Sequence, residues 1–315
     1  MTLQAVPGST AGRIVAISYM VTLAVTYSLV LSLNRIATTA NIPFIPYVFW
    51  QIVGAALFLL AICALRRRWP PITRDGAISY LMVGLFGFAI PFSVLAAAAP
   101  KAPASVISLT LTMTPVLVYV FAVIFRMDRF YALRALGIAS SLAGMLLVLV
   151  PPLLQSASLL TADMVPWVAL AFGAPLCYSI ANLSAARFRP PKSGGVELGA
   201  GTLVAATLLL IPVMAVDGSW WFFDEPIGDG SWTIFLALVV NALFMVLMYE
   251  VLRLAGPVIF STYNYIATLC GMGWAALIFG DMPSVWIWAS VALLFLGLYL
   301  VNRTPKAAPA AKEAQ

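Results

Sequence analysis

The sequence predicts an all-α polytopic membrane protein whose ten transmembrane helices form two inverted five-helix repeats. Three observations predict it. Charge is scarce: 17 Lys or Arg and 11 Asp or Glu make up 9% of 315 residues, beside 63% apolar residues, where a soluble domain carries about a quarter charged. The charges leave ten uncharged intervals of at least 19 residues, and about 20 residues of helix cross the hydrocarbon. The second half of the chain also repeats landmarks of the first. A water-soluble globular protein is excluded. So is a membrane barrel, because its strands alternate in polarity at every second residue and these intervals are apolar on all sides.

Taken in order, the first span is 14–34, between Arg13 and Arg35. Its 21-residue core exceeds the roughly 7–15 residues of a signal peptide's apolar region, and the repeat needs it, so it is read as a retained helix. The second span, 36–65, runs into Arg66, Arg67 and Arg68, and the third, 76–100, ends at Lys101. The fourth, 102–125, stops at Arg126, and the fifth, 135–162, lies between Arg134 and Asp163. The sixth, 164–186, ends at Arg187, and the seventh, 198–216, lies between Glu197 and Asp217. The eighth, 230–249, precedes Glu250, while the ninth, 254–280, and the tenth, 282–302, flank Asp281. Residues 13–152 then form the first repeat (helices 1–5) and 153–303 the second (helices 6–10), between tails at 1–12 and 304–315.

Orientation follows from the basic residues. With the N-terminus in the cytoplasm, 15 of the 17 fall on inner segments, and only Arg35 and Lys101 fall outside, among six acids that include Asp163, Asp217 and Asp281. The positive-inside rule therefore places both termini in the cytoplasm of a bacterial-type inner membrane. Trp69, Trp167, Trp232, Trp286 and Trp288 stand near span ends, as interfacial anchors do, and 216–231, with Trp220, Trp221, Phe222 and Phe223, is expected along the outer surface. Cys63, Cys177 and Cys270 all lie inside apolar intervals and the chain has no His, which argues against a disulfide framework or a metal site. No cofactor is expected. The net charge of +6 reflects basic loops beside the lipid bilayer rather than a nucleic-acid partner; monomer and homodimer both stay open.

The repeat is visible when 103–150 is laid over 257–301. Pro103 and Phe125 match Pro257 and Phe279 at an offset of 154, and Asp128 and Gly144 match Asp281 and Gly297 at 153, one deletion in the loop accounting for the change. Tyr27-Ser28 likewise corresponds to Tyr178-Ser179. An odd number of spans per copy forces the second copy into the membrane upside down, the architecture of secondary transporters.

The run from Ala102-Pro-Ala-Ser-Val-Ile to Thr114-Pro115-Val, then Ile124-Phe125 with Asp128-Arg129, Gly137 and Gly144, recurs at Gly256-Pro-Val-Ile-Phe-Ser-Thr, Phe279-Gly-Asp281 and Gly297. In these residues the chain resembles the drug/metabolite transporter superfamily, in its ten-helix EamA-like branch, over roughly residues 12–302. Trp50-Gln51 stands where many members carry Arg in the second helix, and Leu269 where they carry Pro in the ninth. The resemblance implies a secondary active or facilitative transporter of a small organic metabolite, an amino acid or related zwitterion, with export favoured. A lipid or lipid-linked flippase and a multidrug efflux carrier are the alternatives. An enzyme is not expected, because no nucleophile-base spacing is present.

Polar residues inside a span must find a partner or a water-filled cavity. Ser105, Ser108, Thr112 and Pro115 share one face of the fourth helix, and Ser261, Asn264, Tyr265 and Thr268 one face of the ninth, which makes these two helices the first choice for a pocket. Tyr27, Trp50, Gln51, Tyr178, Asn182, Asn241 and Tyr263 are further candidates to line it. For each hydroxyl the plain alternative is a bond to its own helix carbonyl, and for the amides it is helix-helix glue. Arg35 and Lys101 either snorkel to lipid phosphate or attract a substrate carboxylate. Glu250 is either an i,i+3 partner of Arg253 or a proton relay. A lining of hydroxyls, amides and aromatic faces without a central acid or base suits a neutral or zwitterionic solute with an apolar part, moved by uniport or exchange.

Overall fold

The computed structural model describes residues 10–98, 101, 110–155, 164–218, 220, 230–280 and 286–303. Every regular element among these residues is helical. Helix α1 is Thr10–Thr39 and α2 is Phe44–Arg66. Pro43 in extended backbone opens α2, and Arg67 closes it in the left-handed region, returning its N–H to the Ala64 and Cys63 carbonyls. Helix α3 (Arg74–Gly84) is capped by Thr73, whose Oγ1 accepts from the Gly76 N–H at 3.1 Å. It passes through a π-turn, Leu85–Ala89, into α4, Ile90–Ala98. Pro91 explains the turn: it has no N–H and its ring would clash with an α-helical ladder, and an i→i−5 bond from Ile90 N–H to the Leu85 carbonyl absorbs the mismatch.

The remaining helices are α5 (Thr114–Ile124), α6 (Ala132–Gln155), α7 (Val165–Ala171), α8 (Gly173–Arg187), α9 (Gly195–Asp217), α10 (Trp232–Ala255), α11 (Pro257–Ser261), α12 (Tyr263–Phe279) and α13 (Ile287–Arg303). Among the described residues six stretches are long and apolar enough to cross a membrane: Ile14–Ala37, Phe44–Arg66, Arg74–Leu95, Val165–Arg187, Gly195–Val216 and Trp232–Ala255. They correspond to the first, second, third, sixth, seventh and eighth intervals. Among the described residues the fourth, fifth and tenth contribute the apolar runs Thr114–Ile124, Ala132–Leu147 within α6 and Trp288–Val301 within α13. The ninth interval is divided at Thr262, where i→i−3 bonds from Thr262 N–H to Ile259 and from Tyr265 N–H to Thr262 tighten the backbone.

Packing follows a paired pattern. Helix α1 lies on α10 and α12, while the α7–α8 rod lies on α3–α4 and α5. Helix α2 packs on α9 and on α10, and α9 packs in turn on α3. Helix α5 meets α11, and α6 meets α13. Each of these contacts toward the other half thus has a counterpart with the halves exchanged. The core runs between them through Met20, Leu23, Tyr47, Ile52, Leu59, Leu203, Met245 and Phe260, all buried, whereas Leu57, Phe58, Leu208 and Phe295 stand exposed on the outer faces where lipid would cover them.

In lipid no hydrophobic force pushes apolar helices together, so close backbone approach matters more. Gly297 shows it most clearly: a Cβ there would run into Ser141 Oγ and the Gly137 carbonyl, so α6 and α13 touch backbone to backbone. Ser140 Oγ adds a hydrogen bond to the Leu293 carbonyl at 3.0 Å. At Gly195 a Cβ would collide with the Val246 carbonyl, which gives the small pair Gly195 and Gly199 the helix-contact role its spacing suggests.

Candidate functional site

Helices α1, α2, α4 and α10 enclose a cavity lined by Tyr27, Val30, Asn34, Phe44, Val48, Gln51, Ile52, Phe92 and Asn241. Helical spacing brings them there. Tyr27, Val30 and Asn34 stand three and four residues apart on one face of α1, and Phe44, Val48, Gln51 and Ile52 repeat the pattern on α2. The π-turn precedes Phe92, which meets Phe44 edge-on at 6.4 Å between ring centroids and Phe88 at 5.8 Å. About 40 Å³ is open to water centres, enough for about three waters. None of the lining side chains carries a charge.

The polar contact that closes one wall joins the two halves of the chain. Asn241 Nδ2 donates to Gln51 Oε1 at 3.0 Å and to the Ala237 carbonyl, one turn back on its own helix, at 2.9 Å. Both residues are buried, Gln51 to 2% exposure. Its Nε2 is sealed from solvent and has no acceptor among the described residues.

Tyr27 links the cavity to an aromatic cluster. Its ring lies on Phe244 at 4.2 Å and meets Tyr263 edge-on at 6.4 Å, and Tyr263 stacks on Phe260 at 4.9 Å. Tyr178 of α8 is not among the residues lining the cavity.

Other candidates lie elsewhere. Trp50 packs edge-on against Phe49 at 5.5 Å and does not line the cavity. Asn182 and Thr112 are buried, as is Tyr265, at 1% exposure, and none of the three lines it. Asn264 Nδ2 donates back across the Thr262 break to the Ser261 carbonyl at 3.2 Å, and Thr268 Oγ1 to the Asn264 carbonyl of its own helix at 2.8 Å, so both are bound by local backbone. Ser108 lies outside the described residues, as do Ser105 and Asp281. The polar rows of the fourth and ninth spans, the first choice for a pocket, are not what lines the described cavity; it is formed by α1, α2, α4 and α10. The Arg35 guanidinium stands 4.1 Å over the Phe279 ring, and Lys101 is exposed. Asp128 is paired with Arg134.

Glu250 is held from three directions. Its carboxylate accepts from Arg253 Nε at 2.9 Å, lies 2.7 Å from Arg253 Nη2 and 3.5 Å from Arg189 Nη2, and accepts from the Gly195 N–H, the first residue of α9, at 3.0 Å. Arg189 also donates to the carbonyls of Tyr249 and Ser193. Burial lowers its pKa from the ordinary guanidinium value, against the attraction of Glu250. Beside this network Tyr249 carries a buried hydroxyl triad, 2.6 Å from Thr202 Oγ1 and 3.5 Å from Ser79 Oγ, tying α10 to α9 and α3. Nine residues of α10 separate Asn241 from Glu250, about 13 Å at the helical rise. The charged network and the uncharged cavity therefore sit at different depths.

Sequence reasoning did not single out Phe44, Phe92, Asn34, Arg189 or Tyr249. Asn34 offered a signal, as a polar residue at the very end of a charge-free interval; an aromatic residue in an apolar helix offers none.

The EamA-like transporter family pattern matches this sequence twice, over residues 14–150 and 165–303. No curated protein matches it. A solved crystal structure, titled only as that of a protein, superposes with a TM-score of 0.72 at 18% identity, covering 91% of this chain and 98% of its own, a likeness of fold alone. Two consecutive matches that together span most of the chain identify it: this protein belongs to the EamA-like transporter family.

Proposed function

We propose that the protein is an alternating-access carrier for a small neutral or zwitterionic organic solute, an amino acid or a close relative, moved outward across an inner membrane. It is built as ten spans in two inverted five-helix repeats with both termini in the cytoplasm. The observation that carries the reading is the uncharged cavity of aromatic and amide groups. Its walls come from both matched segments, with Tyr27, Gln51 and Phe92 on one side and Asn241 on the other. The reciprocal packing of the halves supports an inverted repeat, in which such a site sits near midplane at the repeat interface.

The lining favours one class of solute. A sugar phosphate or other multiply charged anion entering a dry site would need fixed cations to replace its water, and no lining residue is cationic. A zwitterion presents balanced charges, and its apolar part fits the rings of Tyr27, Phe44 and Phe92. With room for only about three waters, the cavity is smaller than an amino acid, which enters only when the helices part. The amino-acid class and the outward direction rest on the family resemblance, and the cytoplasmic termini on the distribution of Arg and Lys.

Counterflow in proteoliposomes tests this. Vesicles preloaded with an unlabelled neutral amino acid accumulate the labelled one transiently, without an imposed pH gradient, because no acid or base lines the cavity. Flux strictly dependent on a pH gradient, or counterflow confined to phosphorylated or multiply anionic solutes, would refute the reading.

A further inference from the structure

The orientation of the Gln51 amide follows from a chain of hydrogen bonds. The Ala237 carbonyl holds the nitrogen end of the Asn241 amide at 2.9 Å, because a carbonyl accepts only from that end. The second hydrogen of Asn241 Nδ2 then points to Gln51, whose oxygen meets it at 3.0 Å. Turning the Gln51 amide over would set two NH2 groups against each other, donor to donor. Its Nε2 therefore faces away from Asn241, as a buried donor without an acceptor among the described residues. Buried donors in folded proteins are nearly always satisfied, and an exception calls for a cause. Gln51 Nε2 is one such buried donor, and its residue lines a cavity walled by both halves among the described residues.

We infer that Gln51 reads the carboxylate of the transported solute: when the helices part, Nε2 donates to a carboxylate oxygen, and Asn241 holds the amide in the orientation that makes this possible. The inference rests on the carrier reading above and adds to it the chemical group that is recognised and the residue that recognises it. The fit is to a single carboxylate with a compensating ammonium on the same molecule. A neutral amide supplies a hydrogen bond but no charge, so a second carboxylate would lie in the cavity uncompensated. The faces of Tyr27, Phe44 and Phe92 are left for the ammonium and the apolar side chain.

Counterflow of labelled alanine, leucine, methionine and phenylalanine, with each amino acid and its amino alcohol as unlabelled competitors, separates the two claims. The wild type should take at least one amino acid and prefer it to the matching alcohol, whose neutral oxygen is the weaker acceptor. Gln51→Met keeps the length and removes the donor. It should weaken competition by the amino acid about tenfold or more, the loss of one charge-assisted hydrogen bond, and leave the alcohol within about twofold. Equal weakening of both, or of neither, overturns the inference while wild-type counterflow keeps the carrier reading intact; no wild-type counterflow with any of the four overturns both. Gln51→Glu gives a second readout should the Met variant fold poorly. A protonated Glu offers a hydroxyl donor at the Nε2 position, and an ionised one repels the solute, so its affinity for the amino acid should rise as pH falls from 8 to 5.5. A flat profile like that of the wild type overturns the assignment.

Discussion

Replacing Glu250 by Gln keeps the size of the side chain and one oxygen for the Gly195 N–H while removing the charge that holds two arginines. Its effect can be worked from the geometry. Arg253 is 36% exposed at the side chain, so its pair with Glu250 contributes no more than about 1 kcal/mol. Arg189 is 14% exposed and keeps its bonds to the Tyr249 and Ser193 carbonyls. Losing its counter-charge costs about 1–3 kcal/mol, the range for one charge-assisted contact in a partly desolvated site. The sum, about 1–4 kcal/mol, corresponds to a fall of about 2–6 °C in apparent melting temperature. The assay pairs thermal denaturation of the purified protein with two flux measurements, gradient-driven uptake and exchange, each normalised to folded protein. If the carboxylate is a strut, stability falls and both fluxes change together. Unchanged stability, with gradient-driven flux abolished and exchange intact, would make Glu250 a proton carrier and refute the reasoning.

Two further substitutions follow from the packing. Tyr249→Phe deletes the hydroxyl shared by Thr202 and Ser79 and leaves Thr202 without its buried partner. It should lower stability by about 1–3 kcal/mol, seen as a lower apparent melting temperature, and unaltered melting would contradict the triad. Gly297→Ala places a methyl against Ser141 and the Gly137 backbone and should destabilise by about 1–3 kcal/mol, whereas Gly273→Ala, with nothing within 4 Å of the new Cβ, should be neutral or slightly stabilising. Denaturation of the two side by side checks the contrast, and equal effects would contradict it.

Much of this protein was legible in its sequence, and the reason is the solvent. Lipid excludes charge, so the intervals between charges trace helices directly, and six of them coincide with stretches able to cross a membrane. The ninth interval shows the limit: no charge interrupts 254–280, yet Thr262 breaks the helix, because a turn tightened by local i→i−3 bonds leaves no mark in composition. Lipid also makes polar residues conspicuous. Tyr27, Gln51 and Asn241 stood out within apolar spans, and all three line the cavity.

What a single sequence lacks is the rotation of each helix about its axis. Asn264 and Thr268 were as conspicuous as Gln51, but their side chains bond to backbone carbonyls three and four residues back along the chain. Phe44 and Phe92 face the cavity with nothing to distinguish them from aromatics that face lipid. The Glu250–Arg253 pair was legible because i,i+3 neighbours on a helix meet whatever the fold does. Arg189, 61 positions away, reaches Glu250 only through tertiary packing.

The most direct test concerns access to the cavity itself. Val48→Cys, in a background with Cys63, Cys177 and Cys270 replaced by Ser, places a thiol on the lining, and a membrane-impermeant maleimide is applied to vesicles of either orientation. An alternating-access carrier predicts labelling from both sides, with a saturating transported amino acid slowing both rates. Labelling from one side alone, whatever solute is present, would contradict a cavity that opens in turn to each face of the membrane.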